Sequence, residues 1–523
     1  MLRLKRIMSS GRVQKSLLNI LTGTFGQFLS FLLSFIIRTV FIKTLGEVYL
    51  GLNGLFTDLL GMLSLTELGI GTAIVIELYR TEELKDREKT KQYLQLYRKA
   101  YTAIGVVILA CGLAMTPFLE YLVKDKESLE MIHYRIIFIL FLINTVFSYL
   151  TFAYRVSILG ANQTEYKGRI VSYFFKITTM VLQVTLLLCF KSIYAYLIVP
   201  IVLGIASTVT LGILIGKWYP YILDAPKEKL SKEEIRNTWH NIGAVAGYKF
   251  SGRVIASSTS IIVSSCINII SVGLYSNYLI ITSSFSTVLE KIFSSFTASL
   301  GSLNVAEGDK IDHKYLIFRC ISFLNFACYG YVAICLYVCF TPFVKIWIGE
   351  HYLLNHATEW AIMLNFLVMG LQETIGTHRA AYGLFYRGRY RPFATIILTV
   401  FFSFLFAKTF PEKYGICGII LGGVAANCCA ALWFDSYIVY KYAFHLSSFT
   451  FLCDFFLRLS FCLLLAEILR WGLTYVPLHN NLIIFIFNGF ISTVIFVGLF
   501  YLFFHKKEEY LYLWMVARRL IAK

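Results

Sequence analysis

The chain has 523 residues, of which 58% are hydrophobic and only 15% charged, against roughly a quarter charged in a soluble chain. The apolar residues fall in runs of about twenty, the length that crosses a hydrocarbon core of roughly 30 Å, which excludes soluble and fibrous classes. The formal charge of +18 does not point to nucleic acid, because Lys and Arg gather at the ends of the apolar runs, where they orient spans and meet anionic headgroups.

Taken in chain order, the apolar runs predict an all-α polytopic membrane protein with about fourteen transmembrane helices. They cover approximately 16–42, 50–79, 100–123, 134–160, 169–190, 194–219, 241–270, 273–300, 315–345, 359–385, 392–410, 414–442, 449–476 and 481–505. The basic start, Met1-Leu-Arg-Leu-Lys-Arg6, precedes an apolar stretch too long for a signal-peptide core and without a small-residue cleavage site, so it reads as an uncleaved first span. Alternate connections are basic: Arg3 to Lys15, Arg80 to Lys99, Lys227 to Arg236, Arg387 to Arg391, and Lys506 to Arg519. The opposite connections hold isolated cations such as Lys43, Lys124 and Lys191. This one-sided bias places both termini in the cytoplasm. The twelve Cys show no paired metal spacing, and most sit in apolar runs, where a thiol acts as a small hydrophobe.

A weak internal repeat divides the chain. Asn19-Ile20 matches Asn241-Ile242 and Gly51-Leu52 matches Gly273-Leu274 at the same offset, and Arg155 before Gly160 is echoed by Arg379 before Gly383. The pattern predicts two pseudosymmetric six-helix lobes, 1–219 and 241–443, joined by a cytoplasmic linker over 220–240. Two extra transmembrane helices and a cytoplasmic tail follow over 444–523. Parallel repeats of this kind rock around a midplane site.

Ionisable groups within spans are costly and mark interior faces. Arg253 lies about eleven residues into the seventh span, too deep to snorkel with ease, and Lys249 precedes it by one turn on the same face. Two cations there call for an anion, either an acidic side chain or a substrate phosphate. Arg38, near the outer end of the first span, reads equally as a snorkelling residue or a ligand contact, and Arg379 gains weight from its echo of Arg155. Among acids, Glu67 and Asp58 in the second span are candidates to neutralise Arg253 or carry a coupling proton or sodium ion, and Glu373 in the tenth is a candidate ion ligand. Glu290-Lys291 reads as a local neutral pair, His378 as a satisfied polar residue, and Asp435 and Arg458 as interlobe or packing pairs. Hydroxyls crowd the seventh and eighth spans, including Ser257-Ser-Thr-Ser260 and Ser264-Ser265. Small hydroxyl residues serve close helix packing, yet beside Lys249 and Arg253 they are expected to line a wet cavity suited to sugars. There is no Walker A loop, nucleophile elbow or paired-His metal motif, so no cofactor is implied. A proton or sodium ion is the candidate for coupling.

Several strings carry a family resemblance. Tyr49-Leu-Gly-Leu-Asn-Gly-Leu-Phe56, Leu65-Thr-Glu-Leu-Gly-Ile-Gly-Thr-Ala73, Leu78-Tyr79, Tyr97-Arg-Lys-Ala-Tyr101, Val272-Gly-Leu-Tyr-Ser-Asn-Tyr278 and Thr297-Ala-Ser-Leu-Gly301 resemble Wzx-type polysaccharide flippases of the MOP (multidrug, oligosaccharidyl-lipid, polysaccharide) superfamily. The likeness is strongest over the first three hundred residues. It implies a MATE/MOP-like fold working by alternating access around a cationic cavity, in a bacterial cytoplasmic membrane. The implied substrate is undecaprenyl diphosphate bearing an oligosaccharide repeat unit for surface polysaccharide biosynthesis, with a polysaccharide polymerase complex as a partner. The family's cationic positions carry over as a type to Arg38, Lys249 and Arg253, and less firmly to Arg379. Two rivals remain: a MATE-like drug or cation antiporter, which wants an acidic cavity, and a membrane polymerase or glycosyltransferase, which commonly needs a sizeable loop outside the helices.

Overall fold

The computed structural model describes residues 11–64, 67–123, 132–306 and 310–521. Within helices, some side chains, including those of 67–73 and 237–246, lie outside the description. Among the described residues the chain is helical throughout, without strands. By contacts it forms two compact units, Met1–Gly273 and Leu274–Lys523.

The first unit contains α1 (Gly11–Leu45), α2 (Glu47–Leu63), α3 (Glu67–Glu83), α4 (Arg87–Met115), α5 (Tyr134–Leu150), α6 (Glu165–Phe190), α7 (Ile193–Trp218) and α8 (Lys232–Cys266). The next helix, α9 (Ile269–Ser294), runs across the boundary into the second unit. That unit continues with α10 (Phe296–Ala306), α11 (Ile311–Trp347), α12 (His356–Leu371), α13 (Glu373–Ala381), α14 (Arg391–Thr409), α15 (Gly415–Ala426), α16 (Trp433–Val439), α17 (Phe449–Thr474), α18 (Asn481–Phe504) and α19 (Glu508–Ile521).

Among the described residues, nine helices are long and apolar enough to cross a membrane, ten if Tyr134–Leu150 and Phe152–Ala161, bent by 47°, form one span. The expected spans that fall outside this set are 50–79, 241–270, 273–300 and 359–385. Residue for residue, these spans are richer in charges and hydroxyls than the others, and all but 241–270 also divide into two helices. The expected second span divides into α2 and α3, the eighth into α9 and α10, and the tenth into α12 and α13. The fourth bends at Thr151. Broken or bent helices thus fall at corresponding places of the proposed repeat, in the second and eighth spans and in the fourth and tenth. In transporters, such interruptions free backbone groups at a binding site.

The glycines of the proposed repeat have a steric reason to be glycines. A Cβ on Gly51 would run into the Ile269 carbonyl, its carbon lying at 2.8 Å, and one on Gly273 would stand 3.1 Å from the Gly51 nitrogen and 3.2 Å from the Glu47 carbonyl oxygen. α2 and α9 therefore meet backbone to backbone, a close approach that only small residues permit. The other matched position, Asn19, reaches across to the start of α6. Its Oδ1 accepts the Tyr166 N–H at 2.7 Å and its Nδ2 donates to the Gln163 carbonyl at 3.1 Å. The side chain of Asn241 lies outside the described residues.

The segment over the expected linker 220–240, whose residues from Lys232 on belong to α8, is ordered against the end of α3 and the start of α4. Tyr221 donates to Glu82 at 2.6 Å, Lys89 pairs with Glu234 at 3.2 Å, and Lys91 pairs with Asp224 at 3.8 Å. Ser231 and Glu234 form a capping box at the start of α8, satisfying two N–H groups that the first turn leaves open. Those hydrogen bonds from Ser231, with Lys89 adding to them, hold the Glu234 carboxyl below its ordinary range.

The second unit is organised around α11, whose Phe318, Phe326, Tyr329, Tyr337 and Phe340 are fully buried. The two C-terminal spans are part of this unit. Arg458 on α17 donates to Ser322 Oγ at 2.7 Å, and Asn488 on α18 donates to the Val338 carbonyl at 3.3 Å. A buried polar cluster sits where α11, α12 and α17 meet. Buried Glu359 accepts from Tyr278 at 3.1 Å, Thr341 at 3.1 Å and Arg470 at 2.8 Å, and Tyr337 donates to Glu467 at 2.8 Å.

Candidate functional site

A cavity of about 540 Å³ opens within the first unit, lined by Thr57, Leu60, Gly61, Ser64, Phe141, Asn144, Thr145 and Arg253. Its volume falls in the range of roughly 300–1,000 Å³ usual for small-molecule sites. Three elements build it. α2 contributes its final turns and Ser64, where the second span breaks. α5 contributes Phe141, Asn144 and Thr145, ahead of the bend at Thr151. α8 contributes Arg253.

Among the described residues no hydrogen bond or ion pair holds the Arg253 guanidinium; its electrostatic neighbour is Asp58, which lies against Ser260. The guanidinium is exposed to the cavity and lies over Gly61. A Cβ at that glycine would run into Nη2, with Cζ and Nε each at 3.0 Å. Gly61 therefore gives the cation its resting place. Gly61→Val should push Arg253 aside without unfolding the helix pair, since the obstructed atoms end a flexible side chain. Displacement of a ligand-positioning group by about an ångström can cost up to roughly a hundredfold in rate. Any activity that uses this cavity is expected to fall by at least tenfold while the melting temperature holds; unchanged activity would separate Gly61 from the site.

Lys249, one turn before Arg253, is also exposed. Of the acids, the structure brings Asp58 to Arg253, whereas the side chain of Glu67 lies outside the described residues. Arg38 is buried on α1 beside Tyr196 and is not part of the cavity lining. In the second unit, Arg379 and Arg391 both pair with buried Asp435. Asp435 is thus held within the second unit, and the Arg379 charge is engaged there. Arg155 donates to the Gly212 carbonyl at 3.0 Å and stacks on Phe152. Glu373, at the start of α13, has Glu290 and Arg379 as electrostatic neighbours. The His378 ring is buried, with Nδ1 2.8 Å from the Thr374 carbonyl.

One expectation is corrected. The α8 hydroxyls of Ser257, Ser258, Ser260 and Ser264 are buried rather than set in the cavity wall. Their small size serves helix packing. The cavity takes its polar groups from Thr57, Ser64, Asn144 and Thr145 instead, none of which stood out in the sequence. The pair Asn144-Thr145 within an otherwise apolar run is the signal that marks them.

No family model matches the chain, and no curated protein sequence matches it. Solved structures do. The lipid II flippase MurJ, in an inward-closed conformation, superimposes with a TM-score of 0.60 over 92% of this chain and 99% of that one, at 15% identity. An inward-facing multidrug resistance transporter of the MATE family, within the MOP superfamily, gives 0.58 over 78% of this chain and 94% of that one, at 14% identity. A MOP-superfamily transporter from Pyrococcus furiosus, described as having a binding pocket of reversed polarity, gives 0.53 over 82% and 95%, at 15% identity. The chain is thus a multi-pass membrane protein, helical apart from turns over its described residues, with a fold like that of the solved MOP-superfamily transporters and flippases.

Proposed function

We propose that the protein is a flippase that moves undecaprenyl-diphosphate-linked oligosaccharide repeat units across a bacterial cytoplasmic membrane by alternating access, for surface polysaccharide biosynthesis. The observation that carries this reading is Arg253, a cation with no ion pair among the described residues, presented to a cavity whose wall sets Thr57, Ser64, Asn144 and Thr145 among apolar residues such as Leu60 and Phe141. A guanidinium forms strong charge-assisted bonds to phosphate where water is scarce. Thr57, Ser64, Asn144 and Thr145 offer donors and acceptors of the kind that sugar hydroxyls need.

In this scheme the glycan head and diphosphate enter the cavity while the polyprenyl tail stays in lipid. Arg253 and Lys249 meet the diphosphate, and Arg38 and Arg379 take no part in that contact. Asp58, the electrostatic neighbour of Arg253, is the acid whose interaction the diphosphate would displace. It is therefore our first choice for the proton or sodium site, ahead of Glu67 and Glu373. The fold shared with the lipid II flippase supports a lipid-linked cargo, and the fold shared with MATE transporters supports an ion as the driving partner.

The test is transport in proteoliposomes loaded with a labelled undecaprenyl-diphosphate oligosaccharide, scored by a glycosidase added outside. Protein-dependent exposure of the glycan is the expected result. Movement of apolar cations such as ethidium without movement of the glycan lipid would replace this reading with that of a drug antiporter.

A further inference from the structure

We propose that α19 is an interfacial helix that lies in the headgroup layer of the membrane and holds anionic phospholipid with the cations that precede it and those that end it. The placement follows from connectivity. α18 is apolar and long enough to cross a membrane, and only His505–Lys507 separate it from α19, so α19 starts at the depth of the headgroups. It is anchored there by charge. Arg319 on α11 donates to Glu509 at 2.9 Å through Nε, lies 2.7 Å from the same carboxylate through Nη2, and reaches Glu508 at 3.1 Å. Glu509 is buried in that contact. The pair of acids in the first turn and the pair of arginines in the last also complement the helix dipole.

The outward face is apolar. Leu511, Trp514 and Met515 share one side of the helix at helical spacing, each about half exposed. Trp at such a face is the residue type enriched at membrane–water boundaries. The Arg518 guanidinium sits 5.2 Å from the Trp514 ring, so the apolar face is bordered by a cation. Lys506 and Lys507 stand before the helix, and Arg518 and Arg519 end it. Among the described residues none of these four is in an ion pair. An apolar stripe between unpaired cations, on a helix tethered to a transmembrane bundle, matches an anionic lipid surface. The occupant is lipid rather than a protein, because the preceding span already delivers the helix to that surface.

The experiment uses the full-length protein in nanodiscs of phosphatidylcholine alone or with phosphatidylglycerol. The fluorescence difference between the wild type and Trp514→Phe isolates the Trp514 emission, which brominated phospholipid should quench. Each basic residue near an anionic surface is worth roughly fivefold in local binding. Phosphatidylglycerol should therefore slow hydrogen exchange across 508–521 by about tenfold or more. That slowing should vanish when Lys506, Lys507, Arg518 and Arg519 are all changed to Gln. Absence of quenching of the Trp514 component, or exchange that is the same in both lipid compositions, would overturn the proposal. So would protection that appears only as protein copies per disc increase, since it would assign the face to a second copy.

Discussion

Arg253→Ala is expected to lower translocation of the glycan lipid by about a hundredfold while leaving membrane insertion and melting temperature close to those of the wild type. Both halves follow from the surroundings of the guanidinium. It makes no ion pair among the described residues, so its removal breaks no buried salt bridge and leaves only Asp58 with one neighbour fewer. A charge-assisted bond to a phosphate oxygen is worth about 1.5–3 kcal/mol, or roughly tenfold to a hundredfold, and a bidentate contact lies at the upper end. Arg253→Lys should recover part of the loss, because an ammonium supplies the charge but not the fork. The assay is the proteoliposome glycosidase measurement, run beside thermal unfolding in the same detergent. Wild-type rates in Arg253→Ala would remove Arg253 from the transport path. Loss of folded protein would instead mark it as a packing residue.

The largest effect on stability is expected in the second unit, at Arg470. Its guanidinium donates to Glu359 at 2.8 Å, to Thr341 at 3.2 Å and to the Tyr337 carbonyl at 3.0 Å. Glu359 is almost wholly buried, whereas the Arg470 side chain keeps 17% of its surface exposed. Removing the cation therefore strands a carboxylate with hydroxyl partners and no counter-charge. Breaking a buried pair in this way costs about 3–5 kcal/mol, so Arg470→Ala should lower the melting temperature by several degrees. The double change Glu359→Gln with Arg470→Met removes both charges at nearly constant volume and should restore most of the loss. Additive losses in the double variant would show that the two side chains contribute separately and that the pair is not the unit of stabilisation.

Much of the fold was legible because a bilayer imposes its thickness on the sequence. Runs of about twenty apolar residues located the spans that now appear as α1, α4, α6, α7, α11, α14, α17 and α18. The interruptions were not legible. Ser64 ends α2 without a Pro or Gly beside it, and Gln372 separates α12 from α13 in the same way. Neither residue type forbids a helix, so local propensity does not signal the break.

The site was legible in part for a related reason. Arg253 and Asp58 stand out because charge within an apolar run is costly. Their adjacency was a tertiary fact, set by α2 lying against α8. The hydroxyls of α8 misled because packing and cavity lining draw on the same small residues, and only the direction of each side chain distinguishes the two uses. Asn144 and Thr145 passed unnoticed because neutral polar residues carry far less cost in a span than a charge does, so an adjacent pair draws less notice than Arg253. The buried cluster at Glu359 passed unnoticed because each of its members sits near a span end, where a charge looks solvated. What disclosed its role was the meeting of α11, α12 and α17.

Photo-crosslinking from the cavity wall tests the central claim most directly. A benzoylphenylalanine placed at Asn144, which lines the cavity together with Arg253, is irradiated in membranes that contain the undecaprenyl-diphosphate oligosaccharide. The account predicts a covalent adduct with that lipid, competed by undecaprenyl diphosphate and lost in the Arg253→Ala background. An adduct of equal yield without Arg253, or capture of apolar cations with no capture of the glycan lipid, would contradict it.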